Sequence, residues 1–271
     1  MRQNVRVRAL LIGLTVTIVV LVGGAVGADF GTAIYAEYRL ARTLRADAGL
    51  GFDPWVAILG FPFVPQALAH RYDEVEIKAS GVERPVIGNA SLEATMHQVD
   101  LTHSSWLIRP GALLPVDKLE SRIIIDSTHL GRFMGINDLM VEAPPKETND
   151  ATGGTTESGI SSSVGLVFTG TPKAAGFAER VSVSVDLSMT GPESTTLVFT
   201  ARGILTGPGT ADRPVPDDKL AAVLAAFSKQ LPGQKLPFGV GPNREGARGS
   251  DVIIEGIAKG LSVRLDEFTV S

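Results

Sequence analysis

The feature that most limits how this chain can fold is an uncharged apolar segment near its N-terminus. Residues 9–28 carry no charged side chain, and Arg2, Arg6 and Arg8 precede them. Twenty helical residues span ~30 Å, the thickness of the hydrocarbon layer of a bilayer. Basic residues before such a segment favour a cytoplasmic N-terminus. We therefore predict a cytoplasmic stub with a membrane anchor or signal peptide at 1–28. The domain at 29–271 is then expected on the extracytoplasmic (periplasmic) side of the plasma membrane.

The sequence leaves open whether the first 28 residues are retained or removed. The small residues at 25–28 suit a signal peptidase site, and 9–22 has the length of a signal-peptide core. A buried core helix is disfavoured, because three arginines flank an uninterrupted apolar run. A retained transmembrane helix and a cleaved signal peptide therefore both remain compatible with the sequence.

Charge and cysteine content exclude several classes of function. The chain has 25 basic and 29 acidic residues; without the three N-terminal arginines, 22 basic residues face 29 acidic ones, a net charge of −7. Such a domain gains no electrostatic attraction to nucleic acid. The absence of cysteine excludes disulfides, thiolate metal sites and cysteine nucleophiles.

The first part of the domain is predicted to be a helix followed by an irregular apolar loop. Over 29–48, apolar residues recur at helical spacing, and core packing is favoured over lipid contact for the stripe Phe30, Ile34, Tyr38, Ala41 and Leu44. Three prolines within 54–65 argue against a regular element there, with at most a helical turn after Pro65.

Beyond residue 70 the pattern is mostly that of β-strands. Apolar and polar residues alternate around 75–79 and 92–101, with a phase slip between Met96 and Val99 that indicates a bulge. Helices are expected at 127–134 and 216–229, and the last two strands at 251–258 and 261–270. Residues 144–163 are rich in Gly, Ser and Thr and are predicted to form a flexible loop. The result is an α+β fold, as one domain or two packed halves.

Motifs for catalysis and cofactor binding are absent from the sequence. It has no phosphate-binding glycine loop, no His-Glu-x-x-His and no Gly-x-Ser-x-Gly. His70, His97, His103 and His129 are dispersed and lack the spacing of a metal site. We therefore expect no enzyme activity, no cofactor and no metal.

The abundance of apolar faces has two explanations. Several one-sided strands, amphipathic helices and two Pro-Phe loops could simply build an ordinary core. Alternatively, a curved sheet and its helices could leave an apolar groove. Sheltering a sixteen-carbon acyl chain would offset roughly 13 kcal/mol of exposure, at ~0.8 kcal/mol per CH₂.

The order of motifs resembles the LmeA-like phospholipid-binding family of actinobacterial cell envelopes. The resemblance rests on Gly60-Phe61-Pro62-Phe63 with Gln66, on 71–77, on 122–134 and on 231–239. It implies a tubular lipid-binding-like fold, with a long twisted, bulged antiparallel sheet wrapped around helices and an apolar groove. It also implies binding of phospholipids such as phosphatidylinositol-type lipids, and a supporting role in envelope lipid or lipoglycan metabolism. The family supplies no catalytic residues, and the insertion near 147–163 departs from it.

We expect a membrane-associated protein that holds acyl chains in this groove. The predicted lining is Phe61, Phe63, Leu68, Met96, Phe133, Phe199, Phe227 and Phe238. Arg71 or Arg122 is the candidate for the lipid headgroup, although a solvated strand-end charge is the alternative reading of each. The first alternative function is an envelope scaffold or assembly factor that binds a membrane enzyme of envelope biosynthesis without lipid. The second is an envelope hydrolase.

Overall fold

A long N-terminal helix precedes an α+β domain. The computed structural model describes residues 2–102, 105–144 and 159–269, with only the backbone for 2–10. Helix α1 (Arg2–Asp47) is continuous, and every side chain from 11 to 28 is exposed. The part of α1 from Leu11 onward is long and apolar enough to cross a membrane. The predicted helix at 29–48 is confirmed as the continuation of this apolar helix.

The first sheet is antiparallel and has six strands in the order β1-β2-β3-β4-β11-β10. Alternation of buried and exposed side chains along β2 and β4 gives this sheet one apolar and one polar face. Its strands are β1 (Trp55–Leu59), β2 (Arg71–Arg84), β3 (Gly88–Asp100), β4 (Leu113–Ile125), β10 (Arg244–Arg248) and β11 (Asp251–Arg264).

The second sheet is also antiparallel, with strand order β5-β6-β7-β8-β9. Its strands are β5 (Met140–Glu142), β6 (Leu166–Gly170), β7 (Val181–Thr190), β8 (Thr196–Leu205) and β9 (Lys229–Leu231). Three further helices are α2 (Phe63–Ala69), α3 (Ser127–Met134) and α4 (Asp217–Phe227). The α+β class and the antiparallel pairing are confirmed, but the strands form two sheets rather than a single long one.

Both sheets contribute to one continuous apolar core. The core joins residues of α1 such as Leu40 and Leu44 to Met96 of the first sheet and Phe199 of the second. The predicted loop at 144–163 falls mostly on 145–158, which lie outside the described residues. At the end of that segment, Ile160 and Ser161 are buried.

Two predictions about regular structure in this domain are wrong. The proline-rich region contains strand β1 and helix α2, because Pro54 and Pro62 flank the strand instead of interrupting it. The predicted break between two final strands is absent, since β11 keeps its register with β4 through Gly260, whose φ is +62°. The last hairpin is formed by β10 and β11.

The phase slip in β3 is confirmed, but the bulge lies elsewhere. Met96 and Val99 are both buried, and Gln98 between them has a φ of +52°. The register with β2 does not change at this point; it shifts between Ala79 and Val82 of β2. Tyr72 and Val75, which pair with Val99 and Met96, are both buried as well, so the two strands slip phase together at this point.

Candidate functional site

The buried carboxylate of Asp29 joins α1 to α2. Asp29 is the first buried residue of α1 from Leu11 onward, where the side chains of the helix are described. One carboxylate oxygen accepts a hydrogen bond from the Phe63 amide at 2.8 Å, and the other accepts one from the Val64 amide at 2.7 Å. These two amides belong to the first turn of α2 and have no partner within their own helix. These hydrogen bonds fix the start of α2 to α1, directly after the exposed part of α1 at 11–28.

Between Asp53 and Phe63 the chain runs back along α1. Arg45 on α1 lies 3.3 Å from Asp53. Glu37, two turns earlier, accepts a hydrogen bond from the Ile58 amide at 2.9 Å. The rings of Phe30 and Phe61 stack with centroids 5.8 Å apart. Contacts therefore extend from Arg45 to Asp29, ~24 Å along the helix axis.

The apolar stripe predicted to face the core is partly wrong. Phe30, Ile34 and Tyr38 are exposed, whereas Ala41 and Leu44 are buried as predicted. The face that packs on the domain also carries the small side chain of Ala36, together with Leu40, and Ala48 directly after the helix is buried too. Small residues on this face allow close approach of the helix to the domain, and Phe30, Ile34 and Tyr38 lie on the outer side.

The structure separates the eight predicted lining residues into an exposed pair and six more buried residues. Phe61 is 66% exposed and Leu68 is 77% exposed. Phe133 is partly buried on α3. The buried members are Phe63, Met96, Phe199, Phe227 and Phe238.

The buried members lie in separate parts of the core. Phe63 stacks on Tyr72 with centroids 5.6 Å apart, beside α1. Burial raises the pKa of Tyr72 to about 12, and its hydroxyl donates to the Trp106 carbonyl. Phe199 packs against Phe168 in the second sheet. Phe238 meets Phe268 edge to face, with centroids 5.5 Å apart.

Two surface clefts lie next to these elements. One has a volume of about 390 Å³ at the C-terminal end of α1. The other, of about 350 Å³, lies beside the 3-10 turn Pro237–Gly239. The first is lined by 48–52, 81–83 and Thr269, and the second by Glu193, Thr195, 235–236 and 239–242. None of the eight predicted lining side chains borders either cleft.

The two candidate headgroup arginines have different surroundings. Arg71, directly after α2, has an exposed side chain that lies 3.3 Å from Asp100. Hydrogen bonds from Thr102 lower the pKa of Asp100 to about 2, and Arg71 adds to this effect. Arg122 is largely buried, with its Nε 2.7 Å from Glu255 and its guanidinium 2.7 Å from Glu120.

Ionisable residues of β2, β3, β4, β10 and β11 form a network on the polar face of the first sheet. Burial by itself would raise the pKa of Glu120, but Lys118 and Arg122 outweigh it and the pKa is lowered. The ring of His97 lies between Glu74, at 3.5 Å, and Glu120, at 3.3 Å. This network pairs charges across neighbouring strands.

No metal centre is formed by the residues that the structure describes, since no three His, Asp or Glu side chains converge on one point there. The Nδ1 of His129 lies 2.6 Å from Asp126, whose carboxylate also accepts a hydrogen bond from the His129 amide at the start of α3. This pair is part of a helix cap. His103 lies outside the described residues.

Sequence reasoning missed Asp29 and the outward orientation of Phe30. The available signal for Asp29 was its isolation as the only charged residue between 9 and 36. A lone carboxylate at the end of a membrane-length segment needs a partner when it is buried. Its partners are amides 34 and 35 residues away in the sequence, which periodicity cannot reveal.

Comparison with known proteins identifies the family. No curated protein and no solved structure matches the chain. A model of the LmeA-like phospholipid-binding family matches residues 27–257. The match begins two residues before Asp29 and covers nearly all of the described domain, including α2 and both sheets. The chain therefore belongs to the LmeA-like phospholipid-binding family.

Proposed function

We propose that this chain is a non-enzymatic phospholipid-binding protein of the cell envelope, held at the plasma membrane by α1. Membership of a phospholipid-binding family is the observation that carries the proposal. The exposed apolar surface of α1 between 11 and 28 supports the anchor. Arg2, Arg6 and Arg8 favour a cytoplasmic N-terminus, which supports an extracytoplasmic domain.

The acyl chains enter an apolar groove that starts at Phe61 and Leu68. These two side chains are exposed beside α1. In this proposal the six more buried members of the predicted lining extend the site inward, and they are Phe63, Met96, Phe133, Phe199, Phe227 and Phe238. Of the two headgroup candidates, Arg71 is the better placed, because its side chain is exposed and three residues from Leu68. A phosphate there would compete with Asp100 for the guanidinium.

A supporting role in envelope lipid or lipoglycan metabolism follows from such binding. The protein would hold a phospholipid, of phosphatidylinositol type in our proposal, and present it to membrane enzymes. No bond is made or broken by the protein in this scheme. Envelope biosynthesis enzymes are then its protein partners.

Cross-linking from an acyl chain tests the groove directly. The full-length chain, purified in mild detergent, is mixed with a phospholipid that carries a diazirine near the acyl terminus. Peptide mass spectrometry then locates the cross-links after illumination. We expect them within the domain, at or next to Met96 and Phe199. Cross-links confined to 11–28 would mean that only lipid surrounding the anchor is bound, and would overturn the groove.

Variants at the groove entrance provide a second measurement. Each apolar side chain that is lost removes ~1.5–3 kcal/mol of burial, so Phe61→Ser with Leu68→Ser should lower the yield of co-purified lipid about tenfold or more. Val86→Ser with Val164→Ser is the matched control, because both valines are exposed apolar residues elsewhere on the domain. Native mass spectra of unsubstituted protein without any lipid would instead favour the scaffold that binds an enzyme.

A further inference from the structure

The apolar surface of α1 continues beyond the membrane-length segment. From 9 to 36 the only charged residue is Asp29, and its carboxylate is buried and hydrogen-bonded to α2. Twenty-eight helical residues span ~42 Å, which matches a bilayer including both headgroup layers rather than its hydrocarbon alone. Phe30 and Ile34 therefore fall at the depth of a headgroup layer when 9–28 spans the hydrocarbon.

The chain that folds back along α1 is also uncharged where it reaches this depth. Residues 54–69 contain no charged side chain. Phe61 stacks on Phe30, and the amide of Phe63, the first residue of α2, donates a hydrogen bond to Asp29. In α2, Pro65 and Leu68 are exposed on one side, while Phe63 and Ala67 face the core. The helix α2 thus turns an apolar side away from the domain.

We propose that Phe30, Ile34, Phe61 and Leu68, here called the exit patch, insert into the headgroup layer of the bilayer that α1 crosses. The occupant of the patch is the lipid surface itself. Phe and Leu side chains occur on the apolar faces of helices that lie at this depth of a membrane. The proposal rests on α1 being a membrane anchor. In this arrangement the groove entrance, at Phe61 and Leu68, lies at the lipid surface. The tie between Asp29 and α2 holds Phe61 at the depth of Phe30.

Fluorescent labels report the depth of the exit patch. Because the chain has no cysteine, Phe61→Cys, Leu68→Cys and Val86→Cys each introduce one labelling site. Val86 is 62% exposed and lies in the turn at the end of β2 farthest from α2, which makes it the control. Each full-length variant carries the dye NBD and is reconstituted in vesicles of phosphatidylcholine and phosphatidylglycerol.

We expect labels at 61 and 68 to show blue-shifted emission, quenching by lipids spin-labelled near the headgroup, and protection from iodide. The label at 86 should be quenched by iodide and not by the lipids. Equal iodide quenching at all three positions would overturn the proposal, as would protection at 61 and 68 without lipid quenching, which indicates a protein partner. Failure of all variants to float with vesicles would overturn the anchor together with the patch. The groove is scored separately, by the positions of the acyl cross-links.

Discussion

Glu255 is fully buried on β11, and two arginines hold it there. The Nε of Arg122 lies 2.7 Å from one of its carboxylate oxygens, and the guanidinium of Arg244 lies 3.3 Å from the other. A carboxylate in such surroundings depends on its partners, because removal of one leaves a buried charge that is only partly compensated. A pair whose arginine is exposed, such as Arg202 with Asp186, contributes less.

Arg122→Leu should lower the free energy of unfolding by at most about 3–5 kcal/mol, since it removes the shorter of the two ion pairs of Glu255 and leaves the buried carboxylate with Arg244 alone. The double variant with Glu255→Leu should recover much of that loss, because it removes both charges together. Urea unfolding of the full-length chain measures the free energy of unfolding of the single and the double variant. Arg202→Leu is the control, with an expected loss below about 1 kcal/mol. Equal losses for Arg122→Leu and Arg202→Leu would contradict the role assigned to the buried pair.

Among the elements, the junction of α1 and α2 positions the candidate site. The carboxylate of Asp29 satisfies two amides of α2 that have no partner inside that helix. The other end of α2 is closed by His70 in the left-handed conformation, with a φ of +52°. With seven residues, α2 is too short to be stable by itself. Its position therefore depends on Asp29.

Asp29→Ala should release α2 from α1 and cost about 1–3 kcal/mol, the usual loss when buried amides are left without acceptors. Hydrogen exchange should show faster exchange of the Phe63 and Val64 amides, while β3 and β4 remain protected. Asp29→Asn keeps one acceptor oxygen, so its stability and its exchange rates should lie between those of the unsubstituted protein and the alanine variant. Unchanged exchange at Phe63 in the alanine variant would show that other contacts hold α2.

The elements differ in how well the sequence predicts them, and the reason is physical. Helix α3 is found at Ser127–Met134, as predicted at 127–134, because its signals are local: Asp126 caps the start and Gly135 ends the helix. Which side of α1 is buried depends on where the domain packs against the helix. That packing involves contacts between residues far apart in the sequence, which local signals do not reveal. Strand β1 escaped prediction because prolines at 54 and 62 bound it.

For the candidate site, sequence reasoning selected Phe61 and Leu68, which the structure leaves exposed beside α1. It also predicted Met96 and Phe199 as lining, and these side chains lie in the core. Alternation reveals which face of a strand is apolar but not whether that face meets protein or ligand. The role of these side chains in lipid binding stays a prediction.

At the scale of the whole molecule, the segment after the Gly-rich insertion meets the first sheet. The Ser161 amide donates to the Ala247 carbonyl at 2.9 Å, and the Ala247 amide donates to the Ser161 hydroxyl at the same distance. Gly246 permits this close approach, since a Cβ there would lie 2.3 Å from the Ser161 carbonyl oxygen. Ser161 precedes β6, so this contact links the two sheets.

Gly246→Ala should therefore displace the segment at 159–163 and lower the free energy of unfolding by about 1–3 kcal/mol, as overpacking does. Thermal unfolding gives the loss, and limited proteolysis reports whether the segment has become accessible. Gly203→Ala on β8 is the matched control, because a Cβ there meets no atom within 4 Å. A variant with unchanged stability and unchanged proteolysis would show that the chain adjusts without cost.

The return of the chain along α1 also has a mechanical consequence. Helix α1 contacts the domain at Asp29, Phe30, Glu37 and Arg45. These contacts oppose a change of angle between the domain and the exposed part of the helix at 11–28. Membrane helices tilt to match the thickness of the bilayer around them. Because α1 and the domain would then move as one rigid body, a tilt of the helix would tilt the domain as well. One side of the domain would approach the lipid and the opposite side would move away from it. The local thickness of the bilayer would then set the orientation of the domain relative to the membrane surface.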